Sequence, residues 1–216
     1  MSASPAVAEP AIPTGNHYPK YETRNPIARW LVAGFLDSFR TLSRMSGAKS
    51  VLEAGCGEGH LSAIMAADGR RVRGIDISPR VIELARANPI NKAHRARFEI
   101  GSVYDLKNGD DNADLVVCCE VLEHLEDPEA ALGILASLAT PYLLVSVPRE
   151  PLWRILNMAR GKYLGDLGNT PGHVQHWSKR SFLDMLSRRV EIVAVRTPLP
   201  WTMVLCRGTS GNADAS

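Results

Sequence analysis

The stretch Val51-Leu-Glu-Ala-Gly-Cys-Gly-Glu-Gly59 decides the fold, because an apolar run leads directly into three glycines at alternate positions. Glycines at this spacing keep side chains out of a turn, so a ligand can contact the backbone there. The pattern from Leu61 to Ala67 predicts a short helix, whose free N–H groups point toward the turn. Strand, glycine turn and helix are the first unit of a nucleotide-binding α/β domain.

Apolar runs and helical patterns alternate along the rest of the chain. After Asp114, the predicted strand is continuously apolar to Cys119, as is typical of a parallel strand buried on both faces. We therefore predict an α/β fold with a Rossmann-like, doubly wound, mostly parallel seven-stranded sheet and helices on both faces. Strands are predicted near residues 50–54, 71–76, 96–100, 114–119, 142–147, 190–196 and 203–207, and helices near residues 26–44, 61–67, 79–87, 128–139, 151–160 and 178–189.

Composition restricts the class of protein. With 216 residues and 45% hydrophobic composition, the chain suits one domain with a substantial core, and a net charge of +2 does not favour nucleic-acid binding. Four cysteines without a CxxC pair favour a reduced, cytoplasmic protein, and no apolar run approaches the ~18 residues of a membrane span. The N-terminus lacks the pattern of a signal peptide. We expect disordered tails at residues 1–22 and 208–216 around a single domain at 23–207.

Three further features narrow the choice of ligand. The glycine spacing is tighter than that of a dinucleotide fingerprint, and Glu53 lies two residues before the first glycine. Asp76 ends the second strand, where a carboxylate can accept both hydroxyls of a ribose. The fourth strand leads into Glu120-Val-Leu-Glu-His-Leu125. In combination these features resemble the class I S-adenosylmethionine-dependent methyltransferases over roughly residues 48–150, most closely the small-molecule, methyltransferase type 11-like members.

The resemblance implies an S-adenosylmethionine site. Asp76 would hold the ribose, and Glu120 would lie beside the sulfonium. Many relatives carry an aspartate for the adenine amino group where this chain has Ser102, whose hydroxyl can still accept one hydrogen bond. The implied cofactor-binding residues are Glu53, Gly55 and Gly57 around the methionine end, Asp76, Ile77 on the adenine face, Ser102, Val103 and Glu120.

Methyl transfer requires a nucleophile held in line with the sulfur, roughly 3–3.5 Å from the methyl group. Histidine suits the removal of a proton from the acceptor near neutral pH. The candidate catalytic residues are His124, His173 and His176. His124 could instead be a structural residue bonded to backbone, whereas the other two lie beside Trp177 in a short irregular loop. We predict methylation of a small molecule, foremost at oxygen, with nitrogen and carbon acceptors left open.

A divalent metal ion is the less favoured alternative. Glu120, Glu123 and His124 are spaced so that a helical turn would place them on one side, and such ligands suit Mg or Mn. The pattern resembles the ubiquinone-pathway catechol O-methyltransferases and the small-RNA terminal 2′-O-methyltransferases, which add a later histidine. Many relatives have the same string without a metal. No basic stripe with interleaved aromatics supports RNA.

Acceptor choice is expected to depend on residues 149–178, which would form a lid with a helix after Pro151. Basic residues border this segment and could favour an acidic or phosphorylated acceptor, or they could form a solvated face: Arg149, Arg154, Arg160 and Lys162. Tyr18, Lys20 and Tyr21 could cover the cofactor. Two other classes stay open, a nicotinamide dehydrogenase and a non-catalytic protein that binds S-adenosylmethionine or a partner. The sequence leaves the oligomeric state undetermined.

Overall fold

The computed structural model describes residues 21, 23–159, 164–167, 169–170 and 172–208. Seven strands form one sheet in the order β3-β2-β1-β4-β5-β7-β6. The strands are β1 Ser50–Ala54, β2 Arg71–Asp76, β3 Arg97–Ile100, β4 Ala113–Cys119, β5 Ala139–Pro148, β6 Glu191–Arg196 and β7 Trp201–Arg207. The helices are α1 Pro26–Met45, α2 His60–Ala67, α3 Pro79–Ala87, α4 Pro89–Ala93, α5 Pro128–Leu138, α6 Leu152–Ala159 and α7 Lys179–Ser187.

The direction of the strands confirms the predicted doubly wound sheet. The first five strands run parallel, and β7 pairs antiparallel with both β5 and β6. From β1 the chain adds β2 and β3 on one side, and it then returns to add β4 and β5 on the other side of β1. The strand order therefore reverses at β1. The crevice at such a reversal, outside the carboxyl ends of the strands, is where ligands bind in open α/β sheets.

The core lies on both faces of the sheet, and β4 contributes to each. Val116 and Cys118 pack in one cluster with residues of α5 and α7, whereas Leu115 and Val117 pack in another with α1 and α2. Alternate residues of a strand point to opposite faces, so a central strand with two packed faces must be apolar throughout. This geometry explains the continuous apolar run.

Helix α1 begins as its sequence predicts but buries less of its apolar stripe. The Asn25 side chain accepts hydrogen bonds from the N–H groups of Ile27 and Ala28, at 2.9 and 3.2 Å. Ile27 and Trp30 are nevertheless 66% and 64% exposed, because the packing against the sheet involves later turns of the helix around Phe35. Helical periodicity therefore indicates the face of α1, while tertiary contacts decide which part of it is covered.

Helix α4 is not among the helices that the sequence predicts, although Asn88-Pro89 is the same kind of start signal as Asn25-Pro26. The Asn88 side chain accepts hydrogen bonds from the backbone of Ile90 and Asn91. Within the described ranges, no helix is both long enough and apolar enough to cross a bilayer. The predicted tails lie outside those ranges except for Tyr21 and Gly208, and their disorder stays a prediction.

Candidate active site

The glycine turn follows β1, at the point where the order of the strands in the sheet reverses. Gly55, Gly57 and Gly59 have φ angles of 75°, 51° and 74°, a left-handed conformation that favours glycine. A Cβ atom at Gly55 would overlap the side chain of Val121, whereas one at Gly57 would meet no described atom within 4 Å. The backbone at Gly57 is therefore the part of the turn that a ligand can approach.

Asp76 is joined directly to this turn. Its Oδ2 accepts a hydrogen bond from the Gly57 N–H at 2.9 Å, and its Oδ1 accepts one from the Ser78 N–H at 3.0 Å. These two bonds hold the carboxylate at the end of β2, and each oxygen keeps a further lone pair for another donor. Ile77 follows with its side chain 46% exposed, so an apolar surface lies next to the carboxylate.

Glu53 lies beneath the turn and is only 3% exposed. The Ser62 hydroxyl donates a hydrogen bond to its Oε2. Burial raises the pKa of Glu53 to about 8, the bonds from Ser62 oppose that rise, and the negative charge of Asp76 adds to it. At neutral pH the Glu53 carboxyl is therefore largely protonated in the folded protein.

On the other side of Asp76, Ser102 is used as a helix cap. Its hydroxyl accepts a hydrogen bond from the Tyr104 N–H at 3.2 Å, at the start of a single 3₁₀ turn, Val103–Asp105. Val103 is buried. The hydroxyl still has its own proton to donate, and the predicted contact of Ser102 with an adenine stays a prediction.

Glu120 ends β4 in an unusual backbone conformation. Its φ angle is 61°, which is uncommon for a residue with a side chain, and it precedes a 3₁₀ turn at Leu122–His124. The Nε1–H of Trp201 donates a hydrogen bond to its Oε2 at 2.6 Å. The expected helical turn that would align Glu120 with Glu123 and His124 is therefore wrong, because the 3₁₀ turn begins only at Leu122, after the left-handed residue.

A different cluster forms beside Glu120. Donor atoms of Glu123, His124 and His173 lie within 4.8 Å of one another, so His173 takes the place expected for Glu120. Glu123 is 1% exposed. His124 Nδ1 lies 2.8 Å from the carbonyl oxygen of Gly172. A hydrogen bond to that carbonyl requires the proton on Nδ1, which makes Nε2 the unprotonated nitrogen of a neutral ring.

Backbone contacts hold His173 in this cluster. The N–H groups of Val174 and Gln175 both donate to the carbonyl oxygen of Glu123, at 2.9 and 3.1 Å. The third candidate base, His176, does not join the cluster: its Nε2 lies 2.8 Å from Oδ1 of Asn169. The structure thus brings together two of the three predicted histidines.

Comparison with known proteins agrees with this arrangement. A family model described as a methyltransferase domain matches residues 30–189. This chain belongs to that family. The predicted family, and with it the expected fold, is confirmed.

Curated relatives with a similar sequence include an O-methyltransferase. A ubiquinone biosynthesis O-methyltransferase from Xanthomonas euvesicatoria pv. vesicatoria (strain 85-10) is 33% identical over 136 residues, covering 61% of this chain and 56% of the relative. The chain thus spans about half the length of this curated relative.

Solved structures share the fold. The magnesium protoporphyrin IX methyltransferase of Synechocystis PCC 6803, with bound SAH, has a TM-score of 0.66 at 20% identity, and 87% of this chain covers 89% of it. The methyltransferase domain of bacterial CtHen1 has a TM-score of 0.61 at 18% identity, and 82% of this chain covers 99% of it.

The predicted lid of the methyltransferase packs against the histidine cluster through α6. The Trp153 ring stacks on His173 at 5.9 Å and lies 5.6 Å from the ring of Trp201. Trp153 Nε1 and Asn157 Nδ2 both donate to the Thr170 hydroxyl, at 2.9 and 3.1 Å. These contacts connect the two ends of the lid beside the candidate base.

One basic residue of the lid is used within the lid itself. The Arg154 guanidinium donates to the carbonyl oxygens of Leu167 and Asp166, at 3.0 and 3.3 Å. This contact favours a structural role over recognition of an acidic acceptor. Arg160, Lys162, Tyr18 and Lys20 lie outside the described residues. Tyr21 is described, and its ring lies 4.4 Å from that of His60 at the start of α2.

Sequence reasoning missed Trp201 as a residue of this site. It lies at the start of β7, 81 positions beyond Glu120. No local pattern connects the two residues, because their contact depends on where β7 enters the sheet. Trp153 carried a weak signal, since it lies in the predicted lid.

Proposed function

We propose that this methyltransferase transfers the methyl group of S-adenosylmethionine to an oxygen atom of a small molecule. The observation that carries the proposal is the direct bond between Asp76 and the glycine turn at the reversal point of the sheet. A bound ribose would donate its hydroxyls to Asp76, while the backbone at Gly57 leaves room for the methionine end. The oxygen acceptor is supported by the relative named a ubiquinone biosynthesis O-methyltransferase.

His124 is the preferred general base of the proposal. Its Nδ1 donates to the Gly172 carbonyl, so in the neutral ring the lone pair that would take the proton is on Nε2. The acceptor oxygen would attack the methyl carbon as the carbon–sulfur bond breaks and its electron pair returns to sulfur. The acceptor's proton would pass to Nε2, and S-adenosylhomocysteine would leave. His173 and the Trp153 ring would border the acceptor.

A metal-assisted version is the second candidate, favoured by the Glu123, His124 and His173 cluster. Two imidazoles with one carboxylate suit Mn²⁺ and other transition ions better than Mg²⁺, which prefers oxygen ligands. The His124 bond to Gly172 is also the kind of outer contact that orients a ligating imidazole. A bound ion would lower the pKa of an acceptor hydroxyl.

The cysteines and the net charge bear on the cellular environment and on the class of acceptor. All four cysteines are buried and none of them forms a disulfide, in keeping with the predicted reducing, cytoplasmic environment. A small-molecule acceptor remains preferred over nucleic acid because the net charge is only +2.

Isothermal titration with S-adenosylmethionine tests the first step. We expect binding by the wild type, and binding weaker by about 1.5–3 kcal/mol in Asp76→Ala, because a charged hydrogen-bond acceptor is lost. The exposed Asp110→Ala variant is the matched control and should bind like the wild type. No binding by folded wild-type protein would refute the proposal, and equal affinity in Asp76→Ala would refute the ribose assignment. Labelled-methyl metabolite profiling then identifies the acceptor.

Mn²⁺ titration into the purified protein tests the metal version without an activity assay. Saturable binding that His173→Ala abolishes and His176→Ala leaves intact would support it. If the wild type binds no Mn²⁺ and activity survives dialysis against EDTA, transfer is metal-free.

A further inference from the structure

Trp201 and Glu120 form a contact that the proposed chemistry has not yet used. Trp201 is 4% exposed, and its indole ring packs edge-on against Phe35 of α1 with ring centroids 5.0 Å apart. The ring also lies close to Trp153 of α6. These ring contacts explain why the indole is buried, but they do not explain the direction of its Nε1–H.

The indole N–H donates to Glu120 Oε2 at 2.6 Å, which is short for an N–H···O bond. A hydrogen bond to an ionised carboxylate is shorter and stronger than one between neutral groups. It therefore holds the Glu120 carboxylate in one orientation.

The backbone restrains the same residue. Glu120 has a left-handed φ angle, and its N–H donates to the Ser146 carbonyl at 3.1 Å, across to β5. The next residue, Val121, packs directly against Gly55 of the glycine turn. Non-glycine residues in this conformation cost free energy and occur where the surroundings enforce them. Both the backbone and the side chain of Glu120 are therefore restrained, and the next residue, Val121, contacts the glycine turn.

We propose that Trp201 is a positioning residue that holds the Glu120 carboxylate toward the cofactor sulfur, so that the site prefers the cationic S-adenosylmethionine over its neutral product. The inference rests on the proposed function. A carboxylate near a sulfonium attracts it, whereas the thioether sulfur of S-adenosylhomocysteine carries no charge. Without the bond from Trp201, the carboxylate would no longer be held in this one orientation, so its average attraction for the sulfonium would be weaker. The preference for methyl donor over product would then fall.

The test is the ratio of the two dissociation constants, measured by isothermal titration with S-adenosylmethionine and S-adenosylhomocysteine. Trp201→Phe keeps most of the buried ring and removes the N–H. We expect the preference for the methyl donor to fall about three- to tenfold, which corresponds to the net contribution of one ordinary intramolecular hydrogen bond. Glu120→Gln should lower it at least as much, and the double variant should match Glu120→Gln alone.

Phe35→Leu is the control for packing, since it loosens the contact with the indole ring without removing the N–H. It should lower the melting temperature but leave the ratio unchanged. An unchanged ratio in Trp201→Phe, additive effects in the double variant, or an equal shift in Phe35→Leu would each overturn the inference. Failure of the wild type to bind either ligand would instead overturn the proposed function.

Discussion

Replacing Glu53 by glutamine should make the protein more stable at alkaline pH. The side chain is buried beneath the glycine turn, and burial raises its pKa to about 8. A glutamine has nearly the same shape, its carbonyl oxygen can still accept the hydrogen bond from Ser62, and it has no proton to lose. The variant therefore removes the titration of this site and leaves its packing in place.

The direction of the pH effect on stability depends on how Glu53 ionises in the unfolded and the folded state. In the unfolded chain, the Glu53 carboxyl ionises near its ordinary pKa of 4.5, while in the folded protein it stays protonated up to about pH 8. As the pH rises between these values, the unfolded state is favoured, so the free energy of unfolding falls. At ~1.4 kcal/mol per pH unit, the loss has a ceiling of about 5 kcal/mol. Above the folded pKa it grows no further.

Urea unfolding followed by circular dichroism, at about pH 5 and about pH 9, measures the effect. The wild type should lose several kcal/mol more than Glu53→Gln between these conditions. Glu83→Gln, an exposed substitution on α3, should behave like the wild type. If the wild type and Glu53→Gln lose the same stability with pH, Glu53 is ionised in the folded state and the reasoning fails.

Three further outcomes are expected. Gly55→Ala and Gly57→Ala should each destabilise the protein by about 1 kcal/mol, because each alanine would have to adopt a left-handed backbone conformation. Gly55→Ala should cost about 1–3 kcal/mol more, because its Cβ would also overlap the side chain of Val121. Equal melting temperatures for the two variants would contradict this expectation. Ser62→Ala should remove the bond that lowers the pKa of Glu53, so urea unfolding should show a larger loss at about pH 9 than at about pH 5; a pH-independent loss would count against it. Leu135→Ala, fully buried under the sheet, should cost about 2–5 kcal/mol in the same assay, and a cost below about 1 kcal/mol would show a site that collapses freely.

Most of the sheet could be predicted because each strand carries its own signal. β4 is a run whose apolar content is required by burial on both faces, and both β2 and β4 appear within one residue of the predicted bounds. The antiparallel insertion of β7 between β5 and β6 could not be predicted. Side-chain periodicity indicates which face of a strand is buried, but it does not identify the neighbouring strand.

In the candidate site, too, features with a local sequence pattern could be predicted and contacts between distant segments could not. Asp76 and the glycine turn each have a local sequence pattern, so the sequence predicts both as parts of one cofactor site, whereas the bond between them depends on the pairing of β1 with β2. Glu123 and His173 are 50 residues apart and meet only because the loop at 172–175 bonds to the Glu123 carbonyl. The left-handed backbone at Glu120 has no signature, since the residue there is not glycine.

The placement of β7 also bears on how the protein is made. β5 lies between β4 and β7, so during translation one edge of β5 remains unpaired until more than 50 further residues have been added. An unpaired, apolar strand edge is a template for association with another chain. The ribosome must also release Trp201 before Glu120 acquires its indole partner. The end of β4 therefore completes its contacts late in synthesis, and nascent chains that stop short of β7 should be prone to aggregate.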